Sequence, residues 1–276
     1  MSSKVRAARS RSESILVTTE HEGKRSRRPD ELIVEEPMTV QLDGVTVSTT
    51  MRTPGHDFEL AVGFCHTEGL LAVTGGEAVP VSGVRYCATG SAVGSEFNVV
   101  TVETGGRAPA PRPRLGNTTS SCGLCGNDAI DQLCDRLSPL PTSAPIPLAV
   151  LQAVPAAVRD TQALFEVTGS VHAAAAFSAD GTVLLTREDV GRHNAVDKVI
   201  GRMLLDGQLP ATGLGLFVSG RASFELVQKA WAAGFSTLIA VSAPTALAVH
   251  TARRAGLVLA GFVRSDRLNV YSPARL

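Results

Sequence analysis

The chain has 276 residues, 44% of them apolar, which is enough to bury a substantial core in one large domain or two small ones. Its 26 basic and 26 acidic residues cancel, so electrostatics supply no general attraction to nucleic acid or to a membrane surface. With no apolar leader region near the N-terminus and no run of about 18 apolar residues, neither export nor a membrane span is supported, and a cytoplasmic location is expected.

Residues 1–30 are rich in Ser and Arg and cluster Lys24, Arg25, Arg27 and Arg28, a composition that predicts a disordered, solvated basic tail. From residue 31 to 115 the pattern predicts a β-rich subdomain. Strands are expected at Leu32 to Val34, Met38 to Leu42 and Val45 to Thr49, with Asp43-Gly44 as a hairpin turn. A helix over His56 to Thr67 places Phe58, Leu60, Ala61, Phe64 and Cys65 near one apolar face and stops at Gly69, which makes Cys65 a core residue. Two more strands, Gly83 to Ala88 and Glu96 to Glu103, lead into a linker that contains Pro109, Pro111 and Pro113.

Residues 116–147 predict a mobile cysteine loop followed by a helix at Asp128 to Leu137, capped by Asn127 or Asp128. From 148 to 276 the pattern is α/β. A helical stretch runs from Leu148 to Phe165, and a hairpin joins His172 to Phe177 with Thr182 to Thr186 across Asp180-Gly181. Helices at Ala195 to Leu205, Ser223 to Ala233 and Thr245 to Ala255 then alternate with strands at Gly215 to Ser219, Thr237 to Ser242 and Leu257 to Val263. That order, with nearly continuous apolar strands, predicts a mixed sheet with helices on both faces.

Of the five cysteines, Cys122 and Cys125 stand close together in Ser120-Ser121-Cys122-Gly123-Leu124-Cys125-Gly126. Two glycines loosen the loop, as a carrier thiol that must visit a donor and an acceptor requires. A helix start close behind it favours the thiolate, and the second thiol can share or resolve a persulfide. Three other chemistries compete. Structural zinc wants four ligands, whereas Cys65, Cys87 and Cys134 are scattered. A thioredoxin-like pair should follow a strand, and this one follows a Pro-rich loop. A zinc-dependent nucleobase deaminase combines His-x-Glu with Pro-Cys-x-x-Cys; His66-Thr67-Glu68 supplies the first part, but Ser121 replaces the proline and the interval is long.

Three further groups can hold a ligand. The run Arg187-Glu188-Asp189-Val190-Gly191-Arg192-His193-Asn194-Ala195-Val196-Asp197-Lys198 offers Arg192, His193 and Lys198 as donors near a helix start; the bland account pairs Glu188 or Asp189 with Arg192 and uses Asn194 as a cap. The turns Ser219-Gly220-Arg221-Ala222-Ser223 and Ser242-Ala243-Pro244-Thr245 end predicted parallel strands, where ligand crevices form, although capping by Ser223 and Thr245 explains them equally. Lastly, Gly261-Phe262-Val263-Arg264-Ser265-Asp266-Arg267 joins an aromatic to two arginines, a pairing suited to a base and a phosphate; a surface turn is the bland reading.

In order, Thr67-Glu68-Gly69, Ser121 to Gly126, Glu188 to Lys198, Ser219-Gly220-Arg221, Ser242 to Thr245 and Gly261 to Arg264 resemble the FdhD family of formate dehydrogenase accessory sulfurtransferases, over about Glu31 to Tyr271. The resemblance implies a cytidine-deaminase-like core without structural or catalytic zinc. It further implies a homodimer, sulfur from a cysteine desulfurase, and delivery to molybdenum held by bis(molybdopterin guanine dinucleotide) for formate dehydrogenase. By carry-over Cys122 is the persulfide acceptor and Cys125 its helper. Phe262, Val263, Arg264, Ser265, Asp266 and Arg267 become the cofactor-binding turn, and Arg192, His193, Asn194, Arg221 and Thr245 further contacts. Here Ser265 stands where many relatives are expected to have Gly. A non-catalytic cofactor chaperone is the remaining alternative.

Overall fold

The computed structural model describes residues 10–72, 78–87, 93, 96–110 and 137–273. The cysteine loop with Cys122, Cys125 and Cys134, and the helix expected at 128 to 137, lie outside these residues except for Leu137.

The first element corrects the expected tail. Strands β1 (Ser12–His21) and β2 (Lys24–Ile33) form an antiparallel hairpin, from Ser12 opposite Ile33 to His21 opposite Lys24. Charge-rich composition hides two local signals. Ile15-Leu16-Val17-Thr18-Thr19 is a run suited to a strand, and Glu22 and Gly23 both adopt positive φ (51° and 76°), as a two-residue primed turn requires. The hairpin is rooted where Val34 donates its backbone N–H to Arg11.

Strands β3 (Glu36–Leu42), β4 (Val45–Arg52), β5 (Gly83–Tyr86) and β6 (Val99–Glu103) make a four-stranded sheet in the order β4-β3-β6-β5. Helix α1 (Asp57–Thr67) covers it, burying Leu60, Ala61, Val62 and Cys65 against Met38, Val40, Leu42, Val100 and Val102. Cys65 is fully enclosed and burial pushes its thiol up to about 12, so it is a core residue and not a nucleophile.

Strands β7 (His172–Phe177), β8 (Val183–Asp189), β9 (Gly215–Val218), β10 (Thr237–Ala240), β11 (Val258–Gly261) and β12 (Asn269–Ser272) form a six-stranded sheet ordered β12-β11-β10-β9-β7-β8. β9, β10 and β11 run parallel; β7 opposes both β8 and β9. Alternate side chains go to opposite faces. Leu216, Val218, Leu238 and Ala240 meet helices α4 (Arg192–Leu205), α5 (Phe224–Ala232) and α6 (Ala246–Ala255), whereas Phe217 and Ile239 meet α2 (Leu148–Arg159). Helices therefore cover both faces of a mixed α/β sheet. The single helix expected up to Phe165 is instead divided into α2 and α3 (Ala163–Thr168), because Glu188 accepts hydrogen bonds from the Leu164 and Phe165 N–H groups (2.9 and 2.8 Å) and starts a new helix. Helix α4 begins earlier than its apolar spacing predicts, at Arg192.

Helices α1 and α4 cross at two glycines. A Cβ on Gly63 would stand 1.9 Å from the Asp197 carbonyl oxygen, and one on Gly201 would stand 1.8 Å from that of Glu59. Beside the crossing, Arg187 grips Glu59 through two hydrogen bonds of 2.5 and 2.9 Å. Burial works to raise the Glu59 carboxyl, but hydrogen bonds from His56 and Arg187 overcome it and bring the group from its ordinary 4.5 down to about 2. Because the folded value is depressed, the stability this contributes is complete above the unfolded value and is lost as pH falls from about 4.5 towards 2. Glu59→Gln is therefore expected to flatten the acid limb of a urea-midpoint profile in that window; an acid limb identical to that of the parent would remove Glu59 from this role.

Candidate functional site

Most of the charged run from Arg187 to Lys198 belongs to the joint between the two sheets. Asp189 and Lys198, both fully enclosed, pair at 2.7 Å. Asp189 also accepts the backbone N–H of Thr53 and of Gly191, and Lys198 donates to the Thr53 carbonyl (2.9 Å). Asn194 Nδ2 donates to the Met51 carbonyl and to Asp189 (2.8 and 2.9 Å). Asn194 is thus neither a cap nor a ligand contact: its amide bridges the sheets, and the expected contact is corrected on that ground. Asp197 pairs with Lys229 of α5 and accepts from Thr67 at the end of α1. What remains for a ligand is the first turn of α4, Arg192 and His193.

These two residues face a ledge made by the ends of the parallel strands. Beyond β9, β10 and β11 the chain turns outward, and the turns stay joined by hydrogen bonds. Ser242 N–H donates to Gly220, Ala222 to Ala243, Thr245 to Ala222 and Phe262 to Ser242, all between 3.1 and 3.2 Å. Arg221, Thr245 and Phe262 are thereby brought to one edge, as expected of a strand-end crevice. Phe262 is 40% exposed and holds φ at 53°, an uncommon conformation for a bulky residue and one that turns the ring outward from a strand otherwise buried. Val263 is fully buried in the core on the α2 face, so its side chain offers nothing to a ligand. Arg264 Nη1 donates to the carbonyls of Val241 and Val263 (2.7 and 2.8 Å), and its backbone N–H closes a turn on Arg267. Ser265, Asp266 and Arg267 are exposed on that turn. Thr245 accepts the Ala248 N–H as the N-cap of α6, so its hydroxyl oxygen serves the helix. Ser223, at the start of α5, makes no capping bond and instead meets His193 Nε2 at 3.3 Å.

Beneath the ledge, on the α2 face, lies a cavity of about 590 Å³ whose wall includes Arg159, Phe165, His172, Ser219, Val241 and Arg264. The Arg159 guanidinium sits 4.1 Å from the Phe165 ring centre. A larger cavity, about 700 Å³, opens at the opposite ends of β10 and β11, around Ile146 and Ser236, and contains none of the residues singled out above. Two residues of the ledge, His172 and Glu225, escape sequence reasoning. His172 and Ser219 meet because β7 runs antiparallel to β9, so the start of one strand lies beside the end of the other. Glu225 reaches His193 Nε2 at 2.8 Å from the next helix. No short-range pattern announces either encounter.

The triplet proposed for a deaminase is already in use. His66 Nε2 donates to the Ala232 carbonyl at 3.2 Å, burial holds that imidazole below its ordinary value, and Glu68 lies 3.5 Å from Lys229. No helix among the described residues is long and apolar enough to cross a membrane.

The sequence model of the FdhD/NarQ family matches residues 33–276. A sulfur carrier protein FdhD of Mycolicibacterium paratuberculosis is 48% identical over 258 residues, 91% of this chain and 93% of the relative. One of the same name from Nocardia farcinica is 49% identical over 253 residues, 90% and 88%. Among solved structures, a Desulfotalea psychrophila protein named for a formate dehydrogenase accessory role superposes with a TM-score of 0.76, covering 97% of this chain and all of the other; at 21% identity it supports the fold alone.

Proposed function

The chain belongs to the FdhD/NarQ family, and we propose that it is a sulfurtransferase which takes persulfide sulfur from a cysteine desulfurase onto Cys122 and passes it to molybdenum held by bis(molybdopterin guanine dinucleotide), in the service of formate dehydrogenase. One observation carries the reading: Cys122-Gly-Leu-Cys125 falls inside the matched span of a chain nearly half identical to proteins named as sulfur carriers.

The chemistry is that of thiolate exchange. The Cys122 thiolate attacks the outer sulfur of the donor's persulfide, a new S–S bond forms on Cys122, and the donor's cysteine leaves as thiolate. If Cys125 then attacks the inner sulfur, the terminal sulfur departs as sulfide and a Cys122–Cys125 disulfide remains. The molybdenum dinucleotide is cargo, and the ledge supports holding it: Phe262 offers a face to a base, while Arg192, Arg221, Arg264 and Arg267 bring guanidinium donors to phosphates. A cytoplasmic homodimer is part of the same reading.

Incubation with a cysteine desulfurase and cysteine is expected to add the mass of one sulfur atom to the peptide containing Cys122, and Cys122→Ala to abolish that gain. Equal loading of the alanine variant would end the proposal. A chaperone that merely holds the cofactor predicts instead that Cys122→Ala still activates formate dehydrogenase in cells.

A further inference from the structure

The cavity of about 700 Å³ at the far ends of β10 and β11 is built from a part of the chain that the ledge does not use. Its outer wall is the segment from Leu140 to Leu148, which follows the cysteine motif in sequence and is neither helix nor strand up to Pro147. Pro139, Pro141, Pro145 and Pro147 restrict φ to about −65° and keep this segment extended. Its start is moored: the Trp231 indole N–H donates to the Ser138 carbonyl (2.7 Å), and the Leu140 N–H to that of Ala255 at the end of α6 (2.8 Å). Its far end becomes the first turn of α2, where the Pro147 carbonyl accepts from Val150 and Leu151. Between these anchors Thr142, Ser143 and Ala144 present backbone N–H groups that bond to nothing among the described residues.

Leu140, Ile146 and Val258 supply apolar surface inside. Among the described residues that line the cavity, Arg253 alone is charged. Its Nε and Nη2 donate to the Tyr271 carbonyl (3.3 and 3.2 Å), which fixes the guanidinium plane and leaves Nη1 for another acceptor. These features select an occupant. A row of backbone donors along an extended chain matches the acceptors of a second extended chain, not the compact head of a small molecule. The apolar surface takes a side chain, and a lone guanidinium takes a carboxylate. Because the wall is held extended beforehand, little order is lost when the occupant arrives.

We propose that this groove docks an extended segment of the sulfur donor, which lays its backbone along Thr142 to Ala144, sets an apolar side chain against Leu140, Ile146 and Val258, and offers a carboxylate to Arg253. The site rests on the sulfurtransferase reading and adds to it the place where the donor is received. Position argues for the donor. Thr237 and Val258 open β10 and β11, whereas the ledge lies beyond the carboxyl ends of those strands, so a protein seated here leaves the ledge clear for the cargo. The segment along which it lies is the one by which the cysteine motif rejoins the fold, so the donor is brought to the foot of the stretch that bears Cys122.

The test uses the full chain and the cysteine desulfurase itself. Without cysteine, so that no sulfur moves, the desulfurase is expected to slow amide hydrogen exchange in the segment 140–148 and not in the ledge turns. Ala144 is exposed, so Ala144→Trp closes the mouth of the groove without disturbing the core, and that protection should be lost. In the same variant the desulfurase concentration for half-maximal loading of Cys122 is expected to rise about tenfold or more, while the rate at saturating desulfurase stays that of the parent. Arg253→Gln should raise it about fivefold, with Arg253→Lys recovering part of the loss. Half-saturation unchanged in both Ala144→Trp and Arg253→Gln overturns the proposal. Slowed exchange on concentrating the chain alone assigns the groove to a second copy and overturns it as well. Loading of Cys122 without protection of the segment defeats this site alone, and protection without loading defeats the sulfurtransferase reading alone.

Discussion

Gly201→Ala is expected to destabilise the protein by about 3 kcal/mol or more, in the direction opposite to helix propensity. In an isolated helix the exchange gains about 1 kcal/mol, because alanine gives up less backbone freedom on folding. At this crossing the added carbon would lie 1.8 Å from the Glu59 carbonyl oxygen and 2.8 Å from the Gly63 nitrogen, both backbone atoms with no rotamer to retreat into. Helices α1 and α4 would have to separate, and separation also stretches the Arg187 to Glu59 and Thr67 to Asp197 bonds that flank the contact. Gly63→Ala meets the Asp197 carbonyl at 1.9 Å and should behave alike. The two substitutions are in contact through one gap, so their costs should not add. Urea unfolding of the single and double variants decides the matter. A midpoint that rises for either single variant would mean that propensity outweighs the crossing, and the joint between the sheets would need another explanation.

Much of the architecture was legible where a signal is local. The parallel strands β9, β10 and β11 read as short apolar runs because both faces are covered, and Asp43-Gly44 reads as a turn because both residues adopt positive φ. Signals were lost where composition or length misleads. The hairpin from Ser12 to Ile33 looks like a tail because Lys24, Arg25, Arg27 and Arg28 dominate its second strand. β12 has four residues and an irregular register with β11, too little alternation to register as a strand. In the candidate site, the strand-end turns were readable from the order of elements, but the fate of single side chains was not. Asn194 and Val263 sit in stretches that suggest ligand binding, yet one spans to Met51 and the other points into the core, distinctions set by partners far away in sequence. His172 shows the converse. It lies at the start of an ordinary strand, and only the antiparallel placement of β7 beside β9 brings it to Ser219 and Gly220.

The second large effect concerns Asp197 and Lys229, whose side chains meet at 2.9 Å through both carboxylate oxygens. Burial works to lower the Lys229 ammonium, but Asp197 and Glu68 outweigh it and hold the group above its ordinary value, so it remains charged. Asp197→Ala strands that charge with the Thr67 hydroxyl at 2.8 Å and Glu68 at 3.5 Å as its remaining partners, and is expected to cost about 3 to 5 kcal/mol. Replacing both members, as Asp197→Leu with Lys229→Met, removes the uncompensated ion together with its desolvation cost and should recover most of the loss. Such recovery is a strong coupling that a double-mutant cycle reads directly, whereas simple addition of the two single costs would show that the pair is not the source of the stability. The same comparison bears on the ledge. Asp197 lies one turn into α4 after His193, and Lys229 one turn into α5 after Glu225, so the pair spans the same two helices as the His193 to Glu225 contact. A refolded double variant keeps the helices but loses the clamp between them. If the clamp sets the distance between the two helix starts, the His193 ring resonances should shift in that variant although its stability has returned; unchanged resonances would show that His193, Ser223 and Glu225 hold the two starts together unaided.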